Sequence, residues 1–223
     1  MKNILVFLTC IIFFGCINYE QEVFIRSNGS GSAKVHYWTD FKEIFEDTSS
    51  TNKFSFQKSI IKKNFELEGL EIISINVWIR DTDTTYHAEI KIIFENINDL
   101  NKTPFFREDS IVWKDGAPGH KLFSQKVRAF VSNQGRFDNY YLRFTYHFPG
   151  IVIFDNAREK YKSRLVWHFN LSELTSEKTL LATIKLPENS VISSFILAGL
   201  IVFLLILMLI LFLKKKKKYE DEL

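Results

Sequence analysis

Five histidines, two cysteines and a short acidic turn are the side chains through which this 223-residue chain could do chemistry. Few of them stand at a recognisable catalytic spacing. There is no Gly-x-Ser-x-Gly elbow, no His-Glu-x-x-His helix and no cysteine pair for zinc. His36, His87, His147 and His168 fall on the more polar parity of strand-like stretches, and His120 stands apart. Shared parity would let the four converge on one sheet face, but we read them as exposed surface histidines. Glu43, Glu46 and Asp47 repeat at helical spacing and read as a solvated face. Asp81-Thr82-Asp83 could offer oxygens to a cation, yet a calcium loop needs more ligands at fixed spacing, so it reads as a turn. The run Asn28-Gly29-Ser30-Gly31 invites a phosphate-loop reading, which fails because a strand follows it and not a helix N-terminus. The expectation is no catalytic residue, no cofactor and no metal site.

Cys16 has another use. Lys2 followed by the apolar run Ile4–Phe14 reads as an export signal, too short to span a bilayer. Gly15-Cys16 closes the run and the chain turns polar at once. A small residue before a Cys at this place resembles the lipobox of bacterial lipoproteins, with Phe13 and Phe14 where Leu and a small residue are usual. The resemblance implies acylation of Cys16 as the new N-terminus. Cys10 would leave with the signal, so Cys16 would have no disulfide partner. A single lipid chain binds weakly and needs a second anchor.

The second anchor stands at the other end. Val191–Leu213 is 23 residues without a charge. As a helix rising about 1.5 Å per residue it spans a hydrocarbon core with room to tilt. Lys214–Lys218 follow directly and mark the cytoplasmic side. The expected organisation is a signal peptide over 1–15, an exported domain over 16–190, a transmembrane helix over 191–213 and a cytoplasmic tail over 214–223. The formal net charge of +3 misleads, because six basic residues (Lys2 and Lys214–Lys218) lie in the end segments. The exported part carries 23 basic and 23 acidic residues, which argues against a nucleic-acid partner.

Within the exported part, Tyr19–Thr39 reads as a hairpin turning over Ser27–Ser32. Asp40–Asp47 and about Ser55–Leu67 read as helices, with Phe56, Ile60, Ile61 and Phe65 as the apolar stripe of the second. From Ile73 the apolar period becomes 2. It runs through Ile79, resumes over Tyr86–Phe94 and is cleanest over Tyr140–Phe148. The connection Asn96–Arg107 should hold one helical turn. Ser110–Trp113 and Lys121–Val131 read as a hairpin, and Ile151–Phe154, Arg164–Phe169 and Leu180–Leu186 as strands. The expected fold is α+β: a large curved antiparallel sheet with both helices packed on its apolar face. The first strand begins about three residues after Cys16 and the last ends about five before Val191. At roughly 3.3 Å per residue neither link exceeds about 20 Å, which would place both ends of the domain at one membrane surface.

These features resemble the LppM-type lipoprotein domain of bacterial envelopes. The likeness is carried by Cys16 with a strand straight after it, the Asn28-Gly29-Ser30-Gly31 hairpin, Phe148-Pro149-Gly150 with Asn156 and Leu165-Val166-Trp167, and the C-terminal span with its basic tail. It covers about residues 16–186, without a match over Asn96–Phe137. It implies a non-enzymatic α+β envelope domain, with lipid or glycolipid binding proposed for one branch, and carries over no ligand residues.

Three functions compete. The first is an envelope lipoprotein at the outer surface of the cytoplasmic membrane, held by acylated Cys16 and the 191–213 helix. It would bind a lipid, a glycolipid or a membrane-protein partner. The second is a structural or assembly subunit acting through its transmembrane helix. The third is a hydrolase with an unrecognised site. A cavity lined by Phe and Ile would favour the first, an exposed apolar patch the second, and a buried His–carboxylate pair in a cleft the third.

Overall fold

The computed structural model describes residues 17–40, 53–129, 140–187, 199–206 and 208. The expected hairpins form where the turn residues stand. Strands β1 (Asn18–Ile25) and β2 (Gly31–Thr39) pair antiparallel from Asn18↔Trp38 to Ile25↔Gly31. The turn needs its glycines: Gly29 has φ +88°, and a Cβ on Gly31 would lie 1.9 Å from the Phe24 carbonyl oxygen. Strands β3 (Leu70–Arg80) and β4 (Thr85–Phe94) meet across the Asp81–Thr84 turn, with a bulge between Ile72 and Ser74. Strands β5 (Val112–Asp115) and β6 (His120–Val127) form the third hairpin. There follow β7 (Tyr141–His147), β8 (Ile151–Asp155), β9 (Glu159–Tyr161), β10 (Arg164–Asn170) and β11 (Lys178–Lys185).

The single antiparallel sheet expected above is instead two sheets. A seven-stranded sheet runs β3-β4-β2-β1-β7-β10-β9 and a four-stranded one β5-β6-β11-β8. The large sheet is mixed, because β1 and β7 are parallel from Tyr19↔Leu142 to Phe24↔His147. Alternation reports which side a residue faces and is blind to strand direction. Nor is the sheet strongly curled: it is open, with β3 and β9 as edges.

Helix α1 (Lys58–Phe65) is shorter than expected but uses the expected stripe, burying Ile61 and Phe65. Phe65 stacks on Phe105 at 4.5 Å, and Phe105 packs against Tyr19 and Tyr37 on the inner face of the large sheet. The turn expected in Asn96–Arg107 is a 3-10 helix over Ile97–Lys102. The helix expected at Asp40–Asp47 falls, after Asp40, outside the described residues, as do residues 1–15, Cys16 and Lys214–Lys218. Of the predicted span, residues 199–206 and 208 are described and helical; no helix among the described residues is long and apolar enough to cross a membrane.

The small sheet covers the inner face of the large one, where Phe123 of β6 meets Tyr146 at 4.4 Å and Trp167 at 6.2 Å. A polar chain threads this otherwise apolar contact. Tyr19 donates to Gln21 Oε1 (2.7 Å), Gln21 Nε2 to the Tyr146 hydroxyl (2.7 Å), and that hydroxyl to Gln125 Oε1 (2.6 Å). Gln125 Nε2 reaches Asp109 (3.4 Å), which is paired with Lys53 at 2.9 Å. Burial holds the Asp109 carboxyl above the usual carboxylate range, while Lys53 pulls it down.

The ends of the domain do not meet. β1 starts beside Trp38 and Leu142. β11 ends with Lys185 beside Ile151, just beyond the end of β7. Strands of this length put the two ends about 23 Å apart along the sheet.

The polar chain makes a direct prediction. Tyr146→Phe removes a donor and an acceptor together, leaving Gln125 Oε1 and Gln21 Nε2 buried without partners. The expected loss is about 2–4 kcal/mol of stability, read as a lower urea midpoint at unchanged slope.

Candidate functional site

The outer face of the large sheet, turned away from α1 and the small sheet, carries the densest group of unusual side chains. Register puts them there. The β3–β4 hairpin sets Trp78 opposite His87, and the β2–β4 pairing sets Trp38 on the other side of His87. His36 lies between Glu89 of β4 and Glu20 of β1.

The rings form a stack across the strands. His87 lies 5.0 Å from Trp78 at 10°, and His36 lies 4.7 Å from Trp38 at 28°. The two imidazoles lie edge to edge, 18° from coplanar with centroids 5.3 Å apart, and Trp78 and Trp38 each lie near-parallel to both of them. Tyr141 meets Trp38 edge-on at 5.7 Å and His168 edge-on at 5.0 Å, which continues the band to β10.

A hydrogen-bonded relay orders the pair. Thr85 donates to Asp83 Oδ1 at 2.6 Å. Its hydroxyl has one proton, so it accepts from His87 Nε2 at 2.7 Å. His87 Nδ1 is then unprotonated and accepts from His36 Nε2 at 3.1 Å. The relay ends with Nδ1 of His36 as an unprotonated acceptor. The Thr85 bond holds the Asp83 carboxyl below its ordinary value. Burial lowers His36 and pushes His87 down to about 4, so both imidazoles are neutral near pH 7.

Charged groups frame the stack. Arg80 reaches Asp83 at 3.5 Å, and Glu89 contacts Lys91 at 3.3 Å and Lys34 at 3.9 Å. Tyr141 donates to Glu20 at 3.0 Å and its hydroxyl is pushed up to about 12, mainly by burial. Trp78, on the edge strand, is 38% exposed.

The four histidines of shared parity do lie on one face, but only two of them meet. His147 is separate, bonded to Glu22 at 3.0 Å and stacked on Phe24. His168 Nε2 is buried without a partner. His120 bonds the Pro118 carbonyl in the β5–β6 turn. The reading of these four residues as exposed is corrected: His36, His147 and His168 are half-buried and His87 is 0% exposed. Parity gives the face and does not report cover from neighbouring strands. Sequence reasoning also passed over Trp38, Trp78 and the Thr85 relay. The signal was present, since a hairpin turning at Asp81–Thr84 places Trp78 opposite His87. Asp81-Thr82-Asp83 is a turn as expected, with Asp83 committed to Thr85 and Arg80. Among the described residues no group of three or more His, Cys, Asp or Glu could hold a metal ion.

No family model and no curated protein matches the chain. The NMR structure of the folded domain of the Mycobacterium tuberculosis LppM protein is similar to 80% of this chain and 96% of that one, at 9% identity and a TM-score of 0.47. The likeness is a weak, LppM-like one.

The depressed histidines set a pH dependence. Above about pH 6.5 they are neutral folded or unfolded, and their contribution to stability is complete. Below that, the unfolded chain takes up protons that the folded pair refuses, so stability is lost as pH falls from 6.5 towards about 4. His87→Gln should flatten this acid limb, measured as urea midpoints at neutral and mildly acidic pH. A limb as steep as that of the parent would assign it to other groups.

Proposed function

We propose that this chain is a membrane-tethered envelope protein without catalytic chemistry, which binds a saccharide ligand on the outer face of its large sheet. The observation that carries this is the indole–imidazole stack, with Trp78 presented at the sheet edge. The apolar C–H face of a sugar ring suits an indole. Its hydroxyls suit the acceptor at His36 Nδ1 and the carboxylates and guanidinium of Glu20, Glu89 and Arg80. Neutral, mutually bonded imidazoles suit a binding wall better than a proton-transfer site. The saccharide can be a glycolipid headgroup or a free glycan; the contacts are the same.

The tether rests on the sequence: the export signal over 1–15, acylation at Cys16, the uncharged span Val191–Leu213 and the lysines after it. The domain then stands outside the cytoplasmic membrane with its C-terminus inside. A chain of intact mass beginning at Cys16 with added acyl chains supports this; one that keeps residues 1–15 overturns the lipoprotein part.

Binding is tested with the full chain in detergent against an array of free oligosaccharides and, separately, the lipid-linked forms. Capture is expected, and Trp78→Ala should weaken it about tenfold while the chain still unfolds in one cooperative urea transition, at a lower midpoint because the indole covers His87. Capture of lipid-linked forms alone would identify the glycolipid as source. No capture of either, or equal capture by Trp78→Ala, overturns the reading.

A further inference from the structure

The outer face of the small sheet exposes apolar side chains with lysines and no carboxylate, whereas that of the large sheet mixes exposed Phe24, Ile73 and Ile93 with carboxylates such as Glu20 and Glu89. Ile151 is 71% exposed, Phe154 58% and Ile153 54%, all on the edge strand β8. Regular alternation would turn one of the last two inward. The β8–β11 ladder instead shifts register between Thr183 and Ile184, where Phe154 pairs with Thr183 and Val152 with Ile184. Ile153 is the extra residue, so two large apolar side chains in succession point outward. Leu181 of β11 extends the patch.

Lysines surround this patch. Lys114, Lys126 and Lys185 are exposed at the outward parity of β5, β6 and β11. No outward position of the four strands is a carboxylate. Asp115 and Asp155 have the inward parity, and Glu177, just before β11, is paired with Lys126 at 3.1 Å. An apolar centre with a cationic surround complements an anionic lipid surface.

The course of the chain points to the same occupant. Lys185 is the last residue of β11 and pairs with Ile151, so the chain leaves the domain at a corner of this patch. The uncharged span begins at Val191, and five residues of extended chain reach at most about 17 Å.

We infer that the outer face of the small sheet docks on the anionic lipid headgroups of the membrane that holds the span, with Ile151, Ile153 and Phe154 entering the interface. This rests on the membrane tether proposed above. Docked in this way, the strands lie along the bilayer, an orientation that lets anchors at both ends of the domain reach one surface. The indole–imidazole stack then faces away from the lipid, and its ligand comes from the outer side of the envelope.

The test uses the full chain, reconstituted in vesicles of phosphatidylcholine with phosphatidylglycerol, with a benzophenone amino acid in place of Phe154. Flotation is measured first and photo-crosslinked products are read by mass. The expected result is a chain that floats and forms a lipid adduct, while the same amino acid in place of Trp78 forms none. The combined changes Lys114→Glu, Lys126→Glu and Lys185→Glu should lower the Phe154-site adduct several-fold without affecting flotation; an unchanged yield overturns the inference. A floating chain that crosslinks to a second copy, or gives no adduct, overturns docking and leaves the tether standing. A chain that does not float overturns the tether and the docking together.

Discussion

How the two sheets meet depends on one buried chain of hydrogen bonds, from Tyr19 through Gln21, Tyr146 and Gln125 to Asp109 and Lys53. Apolar contacts such as Phe123 on Tyr146 supply the attraction, but they are non-directional and tolerate a sliding interface. A buried amide or hydroxyl tolerates little, since each unpaired atom costs its full desolvation. The Tyr146 hydroxyl serves both sheets, accepting from Gln21 and donating to Gln125. It therefore selects one placement of β6 over the β1–β7 pair. That pair is the parallel one, which brings Gln21 and Tyr146 onto neighbouring strands.

With the interface settled, the outer faces are free to differ. The large sheet turns carboxylates, histidines and indoles outward, among them Glu20, Glu89, His36 and Trp38. The small sheet turns out lysines and aliphatic or aromatic side chains, because one bulge in β8 directs both Ile153 and Phe154 outward. The histidine pair is neutral mainly because flanking rings and strands exclude water from it; burial is the leading cause at both residues, and the Arg80 guanidinium adds to it.

Local pattern was sufficient for much of this. The hairpins at Ser27–Ser32, Asp81–Thr84 and Asp115–Gly119, the stripe of α1 and the helical turn after Asn96 form where the turn residues and periods stand. Even the Trp78–His87 contact was implicit in the β3–β4 turn, because an antiparallel register propagates from its hairpin. Partners far apart in the chain were not legible. Trp38 reaches His87 only through the β2–β4 pairing, and Gln125 reaches Tyr146 only through sheet packing.

The sequence by itself determined the local elements, the face most strand residues occupy outside the bulges at Ile73 and Ile153, and the uncharged 23-residue stretch at Val191–Leu213. Those follow from backbone period and turn sterics, which act over a few residues. Only the tertiary structure decided that there are two sheets, that β1 and β7 run parallel, that His36 and His87 are hydrogen-bonded to each other, and that the ends of the domain lie apart. These depend on which distant strands pair and in which direction. Side-chain alternation is the same for either direction and any partner, so it cannot carry that information.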